Sequence, residues 1–176
     1  MRITIITVCY NRKATIEKAI KSVLEQNYND IEYIIVDGNS TDGTKEIIES
    51  YRDRISQYIS EPDKGMYDAI NKGLQLATGD VIGLMHSDDE FYDKNAIKRI
   101  AARFDYETSI DGVYGNGVYV SNDKEERLVR DRIGGIFSIK KVKEGWLPLH
   151  PTVYLKKSVI DKHGFYNLDF KIASDT

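Results

Sequence analysis

Cysteine is almost missing from this chain: Cys9 is the only one in 176 residues. It cannot form an internal disulfide, so a packed core must hold the fold and a reducing compartment is acceptable. A chain of this length buries roughly 70% of the surface that its unfolded form exposes, which is enough to do without staples. Proline is scarce, with three residues, and glycine is ordinary at thirteen; collagen-like and low-complexity chains are excluded. No run approaches the ~18 apolar residues that a membrane helix needs. The apolar start Ile3–Val8 is short and interrupted by Thr4 and Thr7, unlike a secretory leader. The expected location is therefore the cytoplasm, including the inner face of the cell membrane. An excess of basic charge is also lacking. Lys and Arg number 25 against 28 Asp and Glu, for a net charge of −3, so nucleic acid is not an expected partner.

Several motifs are absent as well. There is no G-x-x-x-x-G-K-[ST] loop, no G-x-G-x-x-G after the first apolar run and no G-x-S-x-G elbow. A P-loop kinase, a dinucleotide oxidoreductase and an elbow-type hydrolase are disfavoured. Asp37–Gly43 looks like a calcium loop but fails its spacing, because Ile48 stands where the terminal glutamate belongs. His86, His150 and His163 have no metal-ligand spacing among themselves.

What is present is an alternation of two periodicities. Ile3–Val8 and Ile31–Val36 are β-branched runs that predict buried strands. Between them Ile16, Ala19, Ile20, Val23 and Leu24 form one helical stripe. Ser40, Thr41 and Asp42 are capping residues ahead of a helix bearing Ile47, Ile48 and Tyr51. Ile55–Ile59 predicts a weak third strand and Gly65 opens a helix with Tyr67, Ile70, Leu74 and Ala77. Val81–Met85 predicts a fourth strand, and 94–104 a further helix. This order predicts an α/β fold, a mainly parallel, doubly wound sheet flanked by helices. Beyond it, Gly112–Val120 and Leu147–Leu155 read as strands around a hairpin-like excursion and a mobile loop, with charged residues from Asp123 to Arg132. That stretch fits a solvated surface first, and a membrane-surface loop second. We expect a single domain over 1–176, in which the pattern of 1–105 gives way to a different one over 106–176.

Ligands of such sheets bind beyond the carboxyl ends of the strands. Carboxylates gather there: Asp37 follows the second strand, and Asp88 and Asp89 follow the fourth. Clustered carboxylates are costly unless a cation offsets them, and one or two of them with substrate phosphates suit Mg²⁺. Helix capping and turn formation would explain Asp88–Asp89 equally well.

The motifs fall in a known order. Tyr10-Asn11-Arg12 ends the first strand, and Val36-Asp37-Gly38-Asn39-Ser40-Thr41-Asp42-Gly43-Thr44 ends the second. Asp63-Lys64-Gly65-Met66-Tyr67-Asp68-Ala69 and Gly79–Asp89 follow, then His150-Pro151-Thr152, Gly164-Phe165 and Ile172-Ala173-Ser174-Asp175. This resembles a family 2 glycosyltransferase of the GT-A fold over essentially the whole chain. The resemblance implies inverting transfer from a nucleotide-sugar donor to a glycan or lipid-linked acceptor, with Mg²⁺ or Mn²⁺ as cofactor and peripheral contact with a membrane. It places the nucleotide at Val8, Cys9, Tyr10, Asn11, Asp37, Lys64, Asp68 and Asp88, and the metal at Asp89. It makes Asp175 the catalytic base and puts His150 on the acceptor side, with 1–105 as the nucleotide-sugar-binding half and 106–176, cut short, as the acceptor-side half. The charged stretch 123–132 could then be an acceptor-side loop, and Trp146 could stack on an acceptor sugar ring, with core packing at least as good a role for the single tryptophan. Many members carry proline where Val8 stands and two aspartates where Asp37-Gly38 stands. Members also continue past the position of Thr176. Two other classes stay open: a nucleotide-sugar-binding module without catalysis, and a nucleotidyltransferase, which the missing Gly-rich loop disfavours.

Overall fold

The computed structural model of the protein describes residues 1–121 and 127–170. Strand β1 (Ile3–Cys9) lies between β2 (Ile31–Asp37) and β4 (Val81–Leu84), and β3 (Gln57–Ser60) pairs outside β2. All four run parallel, with Cys9 opposite Asp37 and Ile6 opposite Leu84. Their carboxyl ends therefore share one rim. The main sheet is completed by β8 (Tyr154–Lys156), antiparallel to β4, and by β5 (Gly112–Val113), for the order β3-β2-β1-β4-β8-β5.

Alternation along the strands builds a core on each face. From β1 and β2, Ile3, Ile5, Tyr33 and Ile35 pack against α1 (Ile16–Leu24), α2 (Thr44–Glu49) and α4 (Ala96–Tyr106). Ile6, Val8, Ile34 and Val36 point the other way, onto α3 (Met66–Leu76), where Tyr67, Ile70 and Leu74 meet them. Each fully buried isoleucine of these layers contributes about 1.5–3 kcal/mol. The doubly wound expectation holds. Gly83 sits in the middle of β4 because the Tyr154 ring lies across it; a Cβ there would stand 2.1 Å from Tyr154 Cε1.

At the opposite rim Glu32 is buried and takes the Thr4 and Thr78 hydroxyls and the Thr78 amide at 2.6–2.7 Å. It ties the starts of β1 and β2 to the turn before β4. Burial pushes its carboxyl up, but these bonds outweigh burial and hold it below the usual range.

The second half departs from the sequence expectation. Gly112–Val120 is not one strand: β5 ends at Val113, and Gly117–Val120 becomes β6 of a separate two-stranded ribbon with β7 (Leu128–Arg132). The break is held by Thr152, which donates to the Gly115 carbonyl, and by Asn116, which accepts the Gly134 amide at 2.9 Å. Leu147–Leu155 is likewise interrupted. A 3₁₀ turn spans His150–Thr152 and only Tyr154–Lys156 pairs. Pro148 and Pro151 lack the amides a ladder needs. Short helices α5 (Ile139–Lys143) and α6 (Lys157–His163) flank these segments. Among the described residues no helix is long and apolar enough to cross a membrane.

Candidate functional site

The shared carboxyl rim is built first by a turn that knots β1 to β2. Asp37 is fully buried. One carboxylate oxygen accepts the Ser40 amide at 2.9 Å and the Ser60 hydroxyl at 2.6 Å; the other accepts the Ser40 hydroxyl and faces the Cys9 thiol at 3.5 Å. A carboxylate offers about four acceptor sites, so Asp37 is saturated from inside the protein. Burial, and then the Asp37 charge, push the Cys9 thiol far up. That sulfur is packing, not a nucleophile.

Around this anchor the β1 end is laced to the turn. Asn11, at φ 52°, donates its amide to Ser40 Oγ at 2.8 Å and accepts the Thr41 amide at 2.9 Å. Arg12 and Lys13 give their amides to Thr44 and Asp42. The capping expectation for Ser40, Thr41 and Asp42 is only partly met. Gly43 is the residue before α2, with no side-chain cap, while Asp42 accepts the Thr44 amide at 3.0 Å. Val8 and Cys9 are buried beneath, and Tyr10 stands exposed at the rim.

Beside that turn lies a residue without an assigned role in the sequence reading. A Cβ on Gly38 would come 2.5 Å from Asp63 Oδ2 and 3.3 Å from the Tyr10 ring. The Asp63 carboxylate thus fills the space over position 38. Its other oxygen accepts the Gly65 amide at 2.8 Å. The signal for Asp63 in the sequence is its place just after the third parallel strand, at the same rim. Asp68, in the first turn of α3, accepts the Lys64 amide at 2.9 Å and lies 3.9 Å from Lys72 Nζ. Lys72 in turn holds Glu61 at 2.8 Å and the Pro62 carbonyl at 2.9 Å, so the loop carrying Asp63 is pinned. Lys64 itself is exposed.

The fourth strand delivers the second acidic group. Asp88 is exposed and Asp89 half-buried. Burial raises the Asp89 carboxyl; His86 nearby works against the rise and the Asp88 charge adds to it. His86 lies 5.7 Å, ring to ring, from His150, and His150 Nε2 meets the Tyr166 hydroxyl at 3.1 Å. Tyr166 is clasped from both sides by Asn71 of α3 and stacks on Tyr67. This clasp joins residues 95 apart, a separation that no local pattern signals. Trp146 packs edge-on against Tyr114 and Phe137, with Lys141 Nζ 5.9 Å from its ring. Asp175 lies outside the described residues.

Past Asp89, away from Asp37, a cleft of about 1230 Å³ opens between α4 and the β6–β7 ribbon. Asp89, Glu90, Arg99, Tyr114, Arg132 and Thr152 are on its walls. Among the described residues no three His, Cys, Asp or Glu side chains converge into a preformed metal cage. An ion such as Mg²⁺ or Mn²⁺ takes one or two carboxylates and completes its shell with phosphates and water. The Asp88–Asp89 pair, with one carboxyl partly desolvated, fits such an ion.

The profile of Glycosyl transferase family 2 matches residues 4–167. An uncharacterized glycosyltransferase of Mycobacterium tuberculosis is 31% identical over 98% of this chain and 65% of its own length. A PGL/p-HBAD biosynthesis glycosyltransferase of Mycobacterium bovis is 27% identical over 98% and 66%. The chain thus spans about two thirds of the length of these relatives. In fold, it resembles S. aureus TarS 1-349, solved with UDP-GlcNAc, with TM-score 0.81 and 23% identity over 99% of this chain and 51% of that one. The mannosyltransferase PcManGT of Pyrobaculum calidifontis, solved with GDP-Man and Mn²⁺, gives TM-score 0.72 and 17% identity over 96% and 48%. The doubly wound sheet, the acidic rim and the profile match agree: the chain belongs to glycosyl transferase family 2.

Proposed function

We propose that the protein transfers a sugar, with inversion, from a nucleotide-diphosphate sugar to a glycan or lipid-linked acceptor. The observation that carries this reading is the single rim on which Asp37, Asp63, Asp88 and Asp89 stand. The nucleotide base lies over the Asp37–Gly38 turn, beside the Tyr10 ring. Asp37 shapes that turn from below, and the second Asp63 oxygen accepts a base N–H, because the Asp37 lone pairs are already taken. Asp88 faces the ribose. Asp89 holds Mg²⁺ or Mn²⁺, which when bound offsets the charge of the departing diphosphate. Two neighbours solved with UDP-GlcNAc or with GDP-Man and Mn²⁺ support this donor class.

The acceptor enters by the cleft beyond Asp89, whose volume suits one or two sugar rings. Its hydroxyl oxygen bonds to the anomeric carbon, the bond from that carbon to the diphosphate oxygen breaks, and the electron pair leaves with the diphosphate. Asp175 takes the hydroxyl proton. His150, set by Tyr166, stands on the acceptor side. The working place is the cytoplasmic face of a membrane. The protein acts as one unit, with 1–105 serving the donor and 106–176 the acceptor.

The test is product analysis with a panel of nucleotide sugars, with donor titrations into wild type, Asp89→Ala and Asp175→Ala. Release of nucleoside diphosphate with glycan formation is expected. Asp89→Ala should lose metal-dependent donor binding, and Asp175→Ala should keep it while transfer falls about 10²–10⁴-fold. Pyrophosphate release, or equal loss of donor affinity in both variants, contradicts the assignment.

A further inference from the structure

The β6–β7 ribbon and the loop behind it carry an unusual surface. Among residues 127–143, six are basic and only Asp131 is acidic. Adding residues 122–126 makes seven basic against four acidic, which leaves 18 basic against 24 acidic in the rest of the chain. Positive charge is concentrated here on a chain that is acidic elsewhere. The same segment exposes large apolar side chains: Leu128 is 62% exposed, Val129 67%, Ile133 72%, Ile136 84% and Ile139 64%. Large apolar side chains exposed together within one short segment are a feature of interaction surfaces.

The segment is shaped, not loose. Arg132 donates to the Leu147 carbonyl at 3.0 Å, Tyr114 donates to the Gly135 carbonyl at 2.9 Å, and Trp146 receives Phe137. The apolar tips stay turned to solvent although the loop is folded back on Tyr114 and Trp146. Lys140 and Lys143 of α5 are exposed next to Ile139. Apolar tips beside flexible cations are what an anionic bilayer recognises: the tips enter the acyl boundary and the cations meet phosphate headgroups. A neutral protein partner would match the apolar groups but not the charge.

We propose that residues 127–143 dock the protein onto an anionic phospholipid surface. This places the cleft beyond Asp89 next to the membrane, but the docking is read without any donor and so stands or falls separately from the transferase reading. The experiment is flotation of the whole chain with vesicles of phosphatidylcholine alone or mixed with phosphatidylglycerol. Two variants accompany it, Lys140→Glu/Lys143→Glu and Ile133→Ser/Ile136→Ser, with circular dichroism to verify the fold. We expect binding to the anionic vesicles only, with release at about 1 M salt, where the Debye length falls to about 3 Å. Each cation near the surface is worth about a fivefold change in partitioning, so the double charge reversal should weaken binding at least about 25-fold. The serine pair should weaken it too. No binding to anionic vesicles at low salt overturns the proposal, as does binding that neither variant changes. Self-association abolished by the same variants, without vesicle binding, would assign the surface to a second copy and equally overturn it.

Discussion

Replacing Asp37 by alanine tests whether this carboxylate is a structural anchor. The substitution removes the acceptor for the Ser40 amide, the Ser40 hydroxyl, the Ser60 hydroxyl and the Cys9 thiol. Ser60 is exposed and turns to water, whereas Ser40 is 1% exposed and cannot. Two Ser40 donors are therefore stranded, at about 1–3 kcal/mol each. With the Ser60 hydroxyl satisfied by water, the expected total is about 2–6 kcal/mol. For a chain of this size that lowers the melting temperature by about 4–24 °C. Asp37→Asn keeps the shape and one acceptor oxygen, so it should cost about half as much. Urea unfolding followed by circular dichroism measures both. Asp63→Asn, on the pinned loop, should leave stability within about 0.5 kcal/mol, as for surface changes away from special features, while weakening nucleotide binding. If Asp37→Ala unfolds with wild-type stability and loses only nucleotide affinity, its lone pairs are free in solution and the anchor argument is wrong.

Other outcomes follow from single contacts. Gly83→Ala drives a methyl into the buried Tyr154 ring and should destabilise by about 1–3 kcal/mol or more, partly recovered by Tyr154→Leu; additive effects in chemical unfolding would contradict the clash. The Tyr154 hydroxyl is buried without a partner among the described residues, so Tyr154→Phe should leave stability unchanged or raise it by about 1 kcal/mol, and a clear loss would mean that a bond is made there. Glu32 has a folded pKa below its unfolded value. Its contribution is present above the usual glutamate value of about 4.5 and is lost as pH falls through the lower folded value. In a stability profile from pH 7 to 3, Glu32→Gln should flatten the acid slope; an unchanged slope refutes the inference.

The strand and helix order of the first hundred residues was readable because β-branched runs and helical stripes alternate there and because tertiary packing agrees with both. The Asp37 and Asp88–Asp89 positions were readable too, since strand ends follow from the runs that precede them. What those side chains do was less so. Nothing local says that Ser40 and Ser60, from two different loops, would saturate Asp37. Nor does spacing reveal that Asp63 fills the space over Gly38. The second half was read least well, because Pro148, Pro151, Gly115 and Asn116 cut apparent strands into short pieces whose pairing depends on contacts distant in sequence. The clasp of Asn71 on Tyr166 belongs to the same class.

The most direct test is amide chemical-shift mapping with a nucleoside diphosphate and Mg²⁺, run with uridine, guanosine and thymidine diphosphates. Perturbed amides should cluster at Asn11, Gly38, Lys64 and Asp89, along the carboxyl ends of the four parallel strands, and should fade in Asp89→Ala. Shifts gathered around Thr4, Thr78 and Gly79 at the opposite rim, or none with any of the three nucleotides, would contradict the account.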